Sequence, residues 1–205
     1  TGNDATSRAI TGLGFQPDWL WFKARSAAYS NRLYDTSRGI ASNGGKRLFT
    51  NTTGAEVNQT SGQDISAVGA DGFTMGASSG LYNNDTGSGG LQVGWFWRAN
   101  GGTTSSGSGD LTSTHQVDPS GGFSIVKAVG DGGSGDKTIS HGLSAAPTCI
   151  LAKNRDAAYN WDTYFSEGVT AGSGMRLNTG ETPFTGRWGT MSSSIFTAKD
   201  NYTWD

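Results

Sequence analysis

Slid against itself by 130 positions, the chain matches itself without a gap, and no other feature constrains its fold as strongly. Gly12-Leu13 falls on Gly142-Leu143, Pro17 on Pro147, Lys23 on Lys153 and Arg25 on Arg155. Ala27-Ala28-Tyr29 falls on Ala157-Ala158-Tyr159, and Tyr34 on Tyr164. Nine of the 24 pairs over residues 12–35 are identical, where composition alone gives about one or two. Further along, Arg47-Leu48 corresponds to Arg176-Leu177, and Gly72-Phe73-Thr74 to Ile195-Phe196-Thr197, with small shifts. A chain of this kind folds as two related modules.

Each copy reads as β-structure. A Gly-Leu turn and a proline, which cannot continue a ladder, precede a short apolar run, Trp19–Phe22 in one copy and Cys149–Ala152 in the other. Short apolar runs between turn signals predict strands buried on both faces. Alternation sets Trp19, Trp21, Lys23 and Arg25 on one side of the first, with Leu20, Phe22 and Ala24 on the other. Residues 32–35 and 161–165 are the predicted returning strands. Further strands are expected at 47–50, 72–75 and 93–98, and at 123–129, 175–177 and 194–198.

The rest of the composition agrees. Gly is abundant at 33 residues and Glu occurs only at Glu56, Glu167 and Glu181, a mixture that supplies turns and half-buried strands instead of long helices. Seven Trp, nine Phe and six Tyr provide cores from few residues. A net charge of −2 without a basic block excludes the electrostatic footprint of a nucleic-acid binder, and no run is long and apolar enough for a membrane helix. The polar start Thr1-Gly2-Asn3-Asp4 does not read as a signal peptide. The lone Cys149, within Thr-Cys-Ile-Leu-Ala, is expected to be a buried, inert thiol.

The expected architecture is all-β: tandem antiparallel modules of β-sandwich or jelly-roll type. Residues 1–102 form the first module, 103–117 a Gly/Ser/Thr-rich linker, and 118–205 a second module incomplete at its C-terminal end. Copy one has no counterpart of Phe123–Lys127 before its first turn, and copy two none of Gly94-Trp95-Phe96-Trp97. The expected setting is a longer repeating chain, or halves that complete one another's sheets.

Gly12-Leu-Gly-Phe-Gln-Pro-Asp-Trp-Leu-Trp-Phe-Lys23, Leu33-Tyr-Asp-Thr-Ser-Arg-Gly39, Asp71-Gly-Phe-Thr-Met-Gly76 and Gly94-Trp-Phe-Trp-Arg-Ala99 together resemble an uncharacterised repeat domain. That domain is common in structural proteins of tailed, often marine, bacteriophages. The second copy fits through Gly122-Phe-Ser-Ile-Val126, His141-Gly-Leu143, Pro147 and Lys153-Asn-Arg155, but replaces the tryptophan pair by Cys149 and Leu151. The resemblance implies a concanavalin-like sandwich repeated along a virion protein such as a tail fibre, spike or capsid-surface appendage. Its partners would be other virion proteins and copies of itself. It implies no catalytic residues and no cofactor.

Sequence motifs for chemistry are thin. Gly76-Ala-Ser-Ser-Gly80 matches a nucleophile elbow, but turn residues follow where that motif requires a helix. His115 and His141 are the only histidines, and no closely spaced carboxylate pair suits glycoside hydrolysis. Asp131-Gly-Gly-Ser-Gly-Asp136 has calcium-loop composition with the wrong spacing, and reads as a turn. Sequons at Asn51, Asn58, Asn84 and Asn201 read as by-products of turn composition. The candidate binding residues are Lys23 and Arg25 with their echoes Lys153 and Arg155. They would form either a rim for sugar or a partner's carboxylate, or a structural support, with Asp35 as an ion-pair partner. The reading is of a non-enzymatic virion structural protein. The alternative is a lectin-like module for host-surface glycans, its decisive feature being whether Trp19, Trp21, Trp95 and Trp97 are buried.

Overall fold

The computed structural model describes residues 7–40, 45–59, 64–76, 90–168, 170 and 172–199. Every regular element among them is a β-strand, and all strand pairing is antiparallel. The chain divides into two compact units, residues 1–50 with 56–102, and residues 51–55 with 103–205.

In the first unit, β1 (Arg8–Thr11), β6 (Ile65–Gly69) and β7 (Gly72–Met75) form a three-stranded sheet with β7 central. The second sheet has five strands: β2 (Trp19–Ala24), β3 (Arg32–Asp35), β4 (Lys46–Phe49), β5 (Val57–Asn58) and β8 (Gln92–Trp97). Their order is β5-β4-β3-β2-β8, so β8 is an edge strand. Both sheets feed one core: Leu20, Phe22 and Tyr34 from the larger, Ile65, Phe73 and Met75 from the smaller. Phe22 meets Phe73 and Phe96 edge-on at 5.6 and 5.4 Å, the arrangement that aromatic quadrupoles favour.

In the second unit, β12 (Lys137–Ser140), β16 (Trp188–Met191) and β17 (Ile195–Ala198) reproduce the small sheet, β17 central. The strands β13 (Cys149–Ala152), β14 (Asp162–Phe165) and β15 (Met175–Arg176) reproduce three strands of the large one. Registers repeat as well. Trp19, Leu20, Trp21 and Phe22 face Asp35, Tyr34, Leu33 and Arg32, and 130 residues on Cys149, Ile150, Leu151 and Ala152 face Phe165, Tyr164, Thr163 and Asp162. In the small sheets Ile10 faces Phe73, and Ile139 faces Phe196. Ile10 and Ile139 stand one residue closer in offset than the Gly12 and Gly142 turns that follow, so copy two carries one extra residue there, absorbed at Ser140-His141.

Three expectations need correction. Residues 103–117 are not a linker: β9 (Ser105–Gly107) and β10 (Ser113–Val117) form a sheet with β11 (Ser124–Ala128), in the order β11-β10-β9. Small side chains there serve close packing, since a Cβ on Gly107 would stand 2.4 Å from that of Ser140. The first apolar run is not buried on both faces: β2 alternates half-buried and buried residues, because the large sheet covers a core on one side only. Cys149 is exposed, at the outward position that Trp19 occupies in the first unit.

Candidate functional site

The turns that carry the sequence motifs are structural clasps. The Asp71 carboxylate accepts hydrogen bonds from the backbone N–H of Gly12 (3.0 Å) and Gly14 (2.8 Å), which hold it below the usual carboxylate range. Asp18 is fully buried and accepts from Gln16 Nε2 and Thr36 Oγ1 through one oxygen, and from the Ala99 and Gly101 N–H through the other. One carboxylate thereby ties the start of β2 to the segment after β8.

The two candidate lysines act on their own loops. Lys23 Nζ donates to the Tyr29 carbonyl at 3.3 Å, and Lys153 Nζ to the carbonyls of Asn154 (2.6 Å) and Ala157 (3.1 Å). Burial pushes the Lys153 ammonium down to about 8. Asp35 is held by Arg38, not by Lys23: Arg38 donates to it through Nε at 2.5 Å and extends to Glu56 at 3.1 Å. Arg25 is exposed and Arg155 half-buried. Lys23 and Lys153 belong to separate units, so the four cations fall into two pairs, Lys23 and Arg25 at the end of β2 and Lys153 and Arg155 just beyond β13.

Of the possible reaction centres, none assembles among the described residues. His141 Nδ1 accepts from the Leu143 N–H at 3.0 Å, so its proton sits on Nε2, which donates to the Ser192 carbonyl at 3.1 Å. Burial lowers the pKa of both His115 and His141. Asp131 is paired with Lys137 and Asp136 with Lys199, so these loop carboxylates are engaged by ammonium groups. No group of three His, Cys, Asp or Glu side chains among the described residues is arranged to hold a metal ion. The Cys149 thiol is held above its ordinary pKa by partial burial, which disfavours the nucleophilic thiolate. Beyond Gly76, the Gly76–Gly80 motif lies outside the described residues, as do Asn84 and Asn201.

The sequence left open whether the four tryptophans Trp19, Trp21, Trp95 and Trp97 are buried, and the structure shows them on a surface. On the outer face of the large sheet, Trp19 lies opposite Trp97 and Trp21 opposite Trp95 across the β2–β8 ladder. Trp95 and Trp97 are 44% and 39% exposed, and Trp19 and Trp21 half-buried. The Trp21 and Trp95 rings lie 5.6 Å apart, inclined at 50°, and Trp21 Nε1 donates to Thr50 Oγ1 at 3.0 Å, which fixes the indole's orientation. Lys23, opposite Val93, continues the same face, and the exposed Arg25 follows, its N–H bonded to the Leu91 carbonyl at 2.7 Å. The alternation in Trp-Leu-Trp and Trp-Phe-Trp was the available signal, because with Leu20 and Phe96 inward the four indoles must point outward.

The membrane question is narrower: no helix among the described residues is long and apolar enough to cross a bilayer. No curated protein and no solved structure matches the chain. A family model described as a domain of unknown function (DUF7483) matches residues 1–203, and the chain belongs to that family.

Proposed function

We propose that this chain is a non-enzymatic structural protein of a bacteriophage particle, whose two units are β-sandwich modules of a tail fibre, spike or capsid-surface appendage. The observation that carries this reading is the repetition of sheet order and strand register 130 residues apart. Repeated units that each fill their own core are how extended mechanical parts are built. The resemblance of the turn and strand motifs to a repeat domain of phage structural proteins supplies the setting. Assembly would run through the edge of β8, whose sequence Gln-Val-Gly-Trp-Phe-Trp contains neither charge nor proline to discourage pairing. Light scattering from micromolar to millimolar concentration is expected to show homo-oligomers, and a monomer throughout would overturn assembly by this route. Electron microscopy of particles labelled with an antibody to the chain is expected to mark an appendage, and labelling absent from the particle would overturn the setting.

A second reading has one specific observation in its favour. The exposure of Trp95 and Trp97 leaves the indole platform that a glycan-binding module needs, where full burial would have removed it. On this reading the chain contacts host-surface glycans from the same particle.

A further inference from the structure

The outer face of β2 and β8 is both aromatic and positively charged, and the two properties lie in sequence along it. Trp97 and Trp95 stand at successive outward positions of β8, roughly 7 Å apart on a strand. Trp19 and Trp21 stand beside them on β2, and Lys23 and Arg25 extend the same strand line. Among the described residues, the acidic groups of this sheet and its connections are already committed. Asp35 is buried against Arg38, Glu56 is shared by Arg38 and Lys46, and Asp18 is saturated by backbone and side-chain donors. Lys23 keeps donor capacity beyond its bond to Tyr29, since an ammonium has three.

We propose that this face binds an acidic saccharide, with the C–H faces of its rings on Trp95 and Trp97 and its carboxylate toward Lys23 and Arg25. The inference rests on the glycan reading given above and narrows it to a ligand class. Indole faces attract the polarised C–H groups of a pyranose without consuming hydrogen-bond donors, as they attract cations. An indole face does not itself favour an acidic sugar over a neutral one, so the selectivity comes from the two cations at the end of the row. The clamp on Trp21 by Thr50 restrains an indole at the centre of the group, so less freedom is lost when a ring settles beside it.

The test is a tryptophan-fluorescence and calorimetric titration of the whole chain with sialyllactose and tri-galacturonic acid, with lactose and cellotriose as neutral controls. The acidic sugars are expected to perturb the emission and bind about tenfold more tightly than the neutral ones, a margin that shrinks as salt rises. Trp95→Ala/Trp97→Ala should lower affinity by about tenfold or more, with the melting temperature as a control that the sheet still forms. Lys23→Gln/Arg25→Gln should abolish the preference for acidic sugars and leave any neutral binding alone. Equal binding of neutral and acidic sugars, lost in the tryptophan variant, would overturn the acidic class and leave the glycan reading standing. No binding of any sugar would overturn both. Indole burial that grows with protein concentration and ignores sugar would assign the face to a second copy of the chain and overturn the proposal.

Discussion

Gly12 and Gly142 occupy equivalent turns with φ of +94° and +72°, a backbone region that side chains with a Cβ enter at a cost of about 1–2 kcal/mol. Their surroundings differ. A Cβ on Gly12 meets nothing within 4 Å, whereas one on Gly142 would stand 2.5 Å from His115 Nδ1 and 2.6 Å from Val117 Cγ2. Gly12→Ala is therefore expected to lose only the backbone cost. Gly142→Ala should lose about 1–3 kcal/mol more, because the ring and the valine must shift. Urea denaturation of the two variants measures the difference, and equal losses would show that the turn alone sets the requirement. Both glycines are visible in the sequence as the first residue of Gly-Leu. The carboxylate of Asp71 that binds the first turn is not, because it arrives from 59 residues away.

The repeated strands carry a substitution pattern that a residue-by-residue comparison hides. In the first unit Arg32 on β3 pairs with buried Asp64, which Arg47 on β4 also reaches at 2.6 Å. In the second unit the place of Arg32 is taken by Asp162, which pairs at 3.0 Å with Arg187, just before β16 as Asp64 is just before β6. Arg176 on β15 faces Asp162 as Phe49 faces Arg32, and stands 3.8 Å from its carboxylate. The ionic cluster is thus kept with acid and base exchanged, and sequence alignment scores both positions as mismatches. Core volume is exchanged in the same way. Phe22, Ile65 and Met75 give way to Ala152, Trp188 and Ala198, so an indole from the small sheet fills space that a phenyl ring from the large sheet fills in the other copy. Asp64→Asn is expected to cost about 3–5 kcal/mol, since it strands a buried guanidinium. The double exchange Arg32→Asp/Asp64→Arg should recover more than half of that loss, by recreating the arrangement of the second unit. A double variant no more stable than Asp64→Asn would mean that the two clusters are not equivalent. The strands and their 130-residue offset were legible because turn residues and alternation are local. The exposed side of β2 and β8 was not, because an apolar run looks the same whether its outer face is covered or open. Residues 103–117 read as a linker for a related reason: small residues that allow β10 and β12 to pack closely have the composition of loops.

Each unit has its own hydrophobic cluster, and the only two histidines of the chain, His115 and His141, both lie in the second. This makes acid sensitivity a property of one half. Burial holds both imidazoles below their ordinary pKa, with the charge of His141 adding to the effect on His115. The unfolded chain therefore takes up protons first as pH falls through about 6.5. Their contribution to stability is complete above that pH and declines as pH drops toward the lowered folded values. Protonation of His141 would also destroy the Nδ1 acceptor that holds the Leu143 N–H. Lys153, held down to about 8, is mostly charged in both states across this interval and adds little to the effect. Calorimetry between about pH 7.5 and about pH 5.5 should move the unfolding transition of the second unit to lower temperature and leave that of the first in place. Trp188→Phe and Phe73→Leu, each confined to one cluster, identify which transition belongs to which unit. Equal shifts of both transitions, or a shift that survives His115→Gln/His141→Asn, would place the acid sensitivity elsewhere than in these two rings.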